Sequence, residues 1–223
     1  MLQTLISSES MEAEVESIWS VARFLEKTLH YRLVKVPRDG FIEFTCTHCG
    51  ECCREGPIIT VFDVARIARG LHTTFTDVID RYCSVECVEA RNWVCPIVRL
   101  RKGAKYCIFH DDSAMRCRIH DFKPLTCKLY PIKVLDPASD WIWIDCSCEG
   151  VGSGERVQIP NNLIDQYIAE VTAHYLALAM MYILGYRGKE CVLKAAELIG
   201  VYRPGLDSLK STVLKSLVFS SQH

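Results

Sequence analysis

The eight residues CTHCGECC, Cys46 through Cys53, hold four cysteines, the last two adjacent. Cys46, Cys49 and Cys52 fall three apart, a spacing at which one tight loop turns three sulfurs toward a common point, as structural zinc sites and iron–sulfur loops require. Cys53 differs: neighbouring side chains in an extended or turn backbone diverge, so its sulfur is expected to serve a second ion or another corner of a cluster. A second group follows in CIFHDDSAMRCRIHDFKPLTCKLYP, where Cys107, Cys117 and Cys127 recur at intervals of ten, and Cys148 stands in CSCEG. Eight thiols suffice for two four-cysteine sites, or for one cluster with a neighbouring site, provided the fold closes the long connection between the groups. Cys146 lies two residues from Cys148 on the same strand face and can substitute for it. His48, His110 and His120 lie among the cysteines; His48 and His120 are retained as alternative ligands.

The chemistry around these thiols is consistent with metal. Segment 91–133 carries seven more positive than negative side chains, while the chain as a whole has a net charge of −1. Four thiolates on one divalent ion leave about −2 of local charge, and nearby cations stabilise it. Arg54, Arg116, Arg118, Lys123 and Lys128 are interleaved with the ligands, which favours a supporting role at the metal over a nucleic-acid surface, although Phe109, Phe122 and Tyr130 leave an RNA-facing patch as the lesser reading. A disulfide framework is the poorer account of the 13 cysteines. The first residues lack the charged start and apolar middle of a signal peptide, and in a reducing compartment clustered cysteines are ligands more often than cross-links. A cytoplasmic location follows as the expectation. The most apolar stretch, Tyr175 to Leu184, is about half the ~20 residues that span a bilayer, so no membrane insertion is expected.

The remaining thiols have plainer readings. Cys191 sits in a helical pattern as a small core hydrophobe, and packing is also favoured for Cys83, Cys87 and Cys95. There is no HExxH, GxSxG or phosphate-binding glycine loop; GVGSG, residues 150–154, reads as a flexible turn beside Cys148.

Phe44-Thr-Cys-Thr-His-Cys-Gly-Glu-Cys-Cys53 together with CRIHDFKPLTCKLYP resembles the YkgJ-type cysteine-cluster family, described as zinc- or iron-chelating proteins. In that family the CxxCxxCC loop precedes an apolar-Thr-Asp helix start, here IITVFDVARIA, and a later block met here by Cys117, Pro124, Cys127 and Tyr130-Pro131. The resemblance covers roughly residues 41–155. His120 and Lys123 depart from the aromatic and arginine common in the family. What it implies is metal or iron–sulfur binding, with no defined reaction.

These sites need elements to position them. Apolar residues from Val15 to Leu29 recur at helical spacing; Phe41–Thr45 alternates as a strand; Thr60 with Asp63, and Thr74 with Asp77, form capping boxes for helices over Val61–Arg69 and Phe75–Tyr82. Val94–Lys102, Tyr106–Phe109 and Trp141–Asp145 read as strands, and Leu163–Leu184, Lys189–Ile199 and Leu206–Val218 as helices. The fold class is therefore α+β: a small cysteine- and metal-stapled core with a minor sheet. Residues 1–40 form an N-terminal helix and turn, 41–155 the cysteine-cluster domain, and 156–223 a C-terminal helical segment packed on the same core.

The functional expectation is a metal-binding cysteine-cluster protein holding an iron–sulfur cluster, of the 4Fe–4S type with Cys46, Cys49 and Cys52 at three corners and the fourth ligand from Cys107, Cys117 or Cys127, with electron transfer or an accessory role toward a protein partner. The alternative is a structural Zn2+ module that presents a surface to protein or RNA. A metal-dependent enzyme is a third reading, and it requires an open coordination position that no motif here announces.

Overall fold

The computed structural model describes residues 32–90 and 93–204. The expected helices over Val15–Leu29 and Leu206–Val218 lie outside the described residues. In chain order the elements are β1 (Leu33–Pro37), β2 (Phe41–Phe44), a 3-10 turn at Glu51–Cys53, α1 (Val61–Gly70), α2 (Phe75–Tyr82), β3 (Cys83–Ala90), β4 (Trp93–Leu100), β5 (His110–Asp111), β6 (Arg116–Cys117), a 3-10 turn at His120–Phe122, α3 (Leu125–Leu129), β7 (Ile132–Lys133), β8 (Trp141–Asp145), β9 (Val151–Gln158), α4 (Asn161–Ile183) and α5 (Gly188–Ile199). The class is α+β, with sheets of two or three strands. Two compact units divide these elements: residues 32–51 with 129–176, and residues 52–128 with 177–204, of those described.

In the first unit β8 is the central strand, paired antiparallel with β1 on one side and β7 on the other. The alternation expected over Trp141–Asp145 is present: Ile142 and Ile144 are buried, and Trp141 on the other face is exposed, with Lys35 Nζ 4.8 Å from its ring centre. β2 pairs with β9, and the register shifts between Glu43 and Phe44. The expected flexible turn at residues 150–154 is instead mostly strand. Gly154, at φ +84°, lets β9 run against Thr45, whose Oγ1 would lie 1.7 Å from a Cβ placed there. The start of α4 is tied down by Asn161, whose Nδ2 donates to the Arg38 carbonyl at 2.9 Å, while Arg38 Nε donates to Asn161 Oδ1 at 3.1 Å.

In the second unit α1 and α2 begin as their capping boxes dictate. The Thr60 side chain accepts from the Asp63 backbone N–H, Asp63 Oδ2 accepts from the Thr60 N–H at 2.9 Å, and Thr74 and Asp77 repeat the exchange. Val61, Val64 and Ile67 of α1 and Val78 and Ile79 of α2 are fully or almost fully buried, as are Ile97, Val98 and Leu100 of β4 and Val192, Ala195 and Ala196 of α5. Four successive residues of β4, Cys95 to Val98, are buried, so this strand is covered on both faces. Its partner β3 starts at Cys83, directly where α2 ends. Pro96 is accommodated because it falls on the half of β4 whose ladder partner is β3 alone; the other half also bonds the 57–59 segment, through Ile59 N–H to Val98 O at 2.8 Å and Leu100 N–H to Pro57 O at 3.0 Å. The strand expected at Tyr106–Phe109 is a loop with one bridge, Lys102 to Cys107, and the pairing begins one residue later at His110.

Asp63 is 3% exposed, and beyond its cap it accepts from the Leu125 N–H at 2.9 Å and from Arg66. Replacing Asp63 with alanine strands these donors, and urea unfolding is expected to show a loss of about 3–5 kcal/mol. Asp77→Ala, which removes only a cap, is expected to cost about 1 kcal/mol.

His174 is 1% exposed, and burial lowers its pKa from 6.5 to about 3. Below the ordinary histidine range the unfolded chain takes up a proton that the folded chain refuses. Stability is therefore complete above pH ~6.5 and falls toward pH ~3 by up to about 1.4 kcal/mol per pH unit. The urea midpoint of metal-free protein, followed from pH 7 to 4, is expected to fall less steeply in His174→Gln than in the parent chain.

Candidate metal centre

The second unit builds a thiol cluster from four chain segments. Cys52 and Cys53 lie in the 3-10 turn, and the Cys53 carbonyl accepts from the Cys107 N–H at 2.6 Å, which fixes Cys107 beside that turn. The two-residue ladder of β5 and β6 places His110 opposite Cys117. Arg118 continues this arrangement, its N–H bonding to Phe109 O at 2.8 Å and its guanidinium to Ile108 O. The last segment is held by α1 at both ends. Asp63 binds the N-terminus of α3, two residues before Cys127, and Gly70 leaves room for the Phe122 ring, which would stand 2.4 Å from a Cβ at that position.

Cys52, Cys107, Cys117 and Cys127 consequently lie within electrostatic reach of one another. All four thiols are held in the protonated form. For Cys52 the chief cause is a thiol–thiol hydrogen bond with Cys53, followed by burial; for Cys107, Cys117 and Cys127 burial comes first, with neighbouring thiols adding to it. Cys52 is an exposed residue, yet its sulfur is crowded by this neighbourhood. Two cations act in the opposite direction. Lys123 favours the thiolates of Cys52 and Cys117, and Arg118 those of Cys107 and Cys117. Among the described residues no three His, Cys, Asp or Glu side chains stand together in closed ligating geometry, so the thiols are gathered without yet converging on one point.

The sulfurs of Cys52 and Cys53 do not diverge as sequence adjacency suggests, because the 3-10 turn brings them into hydrogen-bond contact. In the first unit, Cys46 and Cys148 are carried by neighbouring chain segments. Phe44 pairs with Val151, the Thr45 N–H bonds to Gly150 O at 3.1 Å, and the Val151 N–H closes a turn on Cys148 O at 3.0 Å. Cys46 is exposed, and Cys49 and Cys148 are partly buried. Cys146 is exposed, and its thiol donates to Ile144 O at 3.7 Å. That whole turn hangs from buried Asp145, which accepts from Ser147 N–H at 3.0 Å and from the Tyr130 hydroxyl at 3.2 Å.

His48 is exposed with φ 57°, and His120 is exposed in the second 3-10 turn. Of the expected supporting cations, Arg118 and Lys123 act on the thiols, Lys128 is exposed on α3, and Arg54 is exposed near Lys105. Cys83, Cys95 and Cys191 are buried, and the Cys191 thiol donates to Leu178 O at 3.4 Å, in keeping with core packing. Cys87 differs, being exposed on β3. Asp63 was read from the sequence as a cap alone; its bond to Leu125, 62 positions away, carries no local signal.

No curated protein and no solved structure matches the chain. Residues 45–149 match the family model CxxCxxCC, "Putative zinc- or iron-chelating domain", a span that contains all eight expected ligands. The cysteine-rich segment 45–149, to which α1 supplies the scaffold and four chain segments supply the thiols, is thus similar to the CxxCxxCC family.

Proposed function

We propose that this chain holds an iron–sulfur cluster and serves as an electron-transfer or accessory protein for a protein partner. The observation that carries the reading is the gathering of Cys52, Cys107, Cys117 and Cys127 from distant parts of the chain, with Arg118 and Lys123 set against them. A metal centre needs thiolates, and four buried or crowded thiols with two cations poised to favour ionisation have the donor chemistry it requires. The evenly spaced sulfurs of the Cys46–Cys52 run favour a cluster, since zinc sites more often draw ligands as two pairs. When bound, the cluster would supply a one-electron redox couple. The protein's own contribution is to hold the sulfurs, exclude water from Cys107, and offset the negative charge through Arg118 and Lys123.

Cys46, Cys49 and Cys148, with Cys146 as an alternative, are the further donors in this reading, and Cys53 is tied to Cys52 by a thiol–thiol hydrogen bond. Zn2+ in the same donors is the second reading, giving a structural module whose surface meets protein or, less favoured, RNA. Among the described residues no single helix is long and apolar enough to cross a membrane.

Protein purified without oxygen is expected to be brown, to contain acid-labile sulfide and to bleach with dithionite; colourless protein with stoichiometric zinc and no sulfide would establish the second reading instead. Because metal binding and folding are coupled, Cys127→Ser is expected to lower metal content and Tm together, and Cys191→Ser to lower Tm while leaving metal content unchanged. Metal analysis beside thermal unfolding separates the two, and equal metal loss in both variants would remove the distinction.

A further inference from the structure

One face of the three-stranded sheet in the first unit carries a pattern that the metal centre does not use. Lys35 of β1 and Lys133 of β7 both stand directly opposite Trp143 of β8, one on each side. Residues opposite one another in an antiparallel ladder share a face, so the row across the sheet reads lysine, tryptophan, lysine. Trp141 lies two residues back along β8 and therefore on the same face, roughly 7 Å from Trp143 at the rise of an extended strand. Trp141 is 42% exposed, Lys35 is exposed, and Trp143 and Lys133 are half-buried, while Ile142 and Ile144 on the other face are buried. The cations sit beside aromatic rings: Lys35 Nζ over Trp141, and Lys133 Nζ 5.7 Å from the ring centre of Tyr130. Asp145, the next residue of β8 on this face, adds no exposed charge; it is fully buried, with Oδ1 taken by Ser147 and Oδ2 by the Tyr130 hydroxyl. The exposed Asp140 precedes the strand.

We propose that this face binds single-stranded nucleic acid, two successive bases stacking on Trp141 and Trp143 while Lys35 and Lys133 meet the phosphates. The occupant follows from the combination of groups. Two π-surfaces one strand repeat apart accept successive unstacked bases, and the lysines flanking them meet the charge of the backbone that joins those bases. An acidic peptide offers the charge without the planar rings. A duplex offers the charge but keeps its bases stacked on one another. The face belongs to the first unit and uses none of the candidate ligands, so the inference stands or falls separately from the metal-binding reading.

The test titrates the full-length chain into fluorescein-labelled oligo(U) and oligo(dT) of about 12 nucleotides at low salt, reading binding by anisotropy and stacking by quenching of tryptophan fluorescence. Binding of at least one strand, with quenching, is expected. Trp141→Ala should weaken it by on the order of 10-fold, and Trp141→Phe should keep most of the affinity. The double variant Lys35→Gln, Lys133→Gln should lower the slope of log affinity against log salt by about 1.4, the loss of two single-strand phosphate contacts. The wild-type titration is decisive even if a variant folds poorly: no binding of either strand overturns the proposal. Equally tight binding of a DNA duplex or of poly-glutamate would also overturn it, as would a loss of affinity in Arg116→Gln, Lys128→Gln that Trp141→Ala does not share. Metal content, measured on the same protein, reports separately on the metal-binding reading.

Discussion

One buried carboxylate organises the second unit. Asp63 closes the capping box of α1, receives Arg66, and accepts the first backbone N–H of α3, and it does all three while almost fully removed from water. A carboxylate in that position is tolerable only because each oxygen is satisfied; the cost of leaving it unpaired is what makes the arrangement specific. Its reach is long. By joining α1 to the segment that bears Cys127, it converts a local helix start into a constraint on a donor 64 residues away. Gly70 does the same at the other end of α1 by admitting the Phe122 ring. The cluster is thus placed by a helix that contributes no ligand.

Gathering thiols in this way works against the free chain. Each of the four sulfurs makes the others harder to ionise, and burial adds to the penalty. Arg118 and Lys123 relieve part of it. A bound cation would relieve most of the remainder, which links occupancy of the centre to stability of the unit around it. Core cysteines make a useful contrast: Cys83, with its pKa raised to about 12, and Cys191, raised to about 11, are also held as thiols by burial, yet Cys191 spends its hydrogen on Leu178 O and packs as an apolar side chain.

What could be read from the sequence was what is local. The Thr60–Asp63 and Thr74–Asp77 pairs announce their helices because the signal and the element occupy the same four residues, and both helices begin where those pairs place them. β8 was legible through its alternation. β1, β3 and β9 were missed, since their identity depends on partners far along the chain, and β9 enters through Val151-Gly-Ser-Gly154, a stretch whose composition indicates a turn. The candidate ligands were recognisable as residue types and spacings. Their grouping was not, because nothing in the order of the chain reveals that Cys52 meets Cys53 rather than diverging from it. The long-range role of Asp63 was hidden for the same reason.

The direct join between α2 and β3 constrains how this chain can change. Tyr82 ends the helix and Cys83 begins the strand with no loop between them, the Cys83 N–H still bonding Ile79 O as the helix closes. A strand alternates its side chains with a period of two, so one residue gained or lost at this seam would turn every side chain of β3 to the opposite face, exchanging the buried Cys83 for Ser84 opposite Leu100. A surface loop absorbs length changes; this seam has no slack to do so. Descendants of this chain can vary its residues here far more readily than their number.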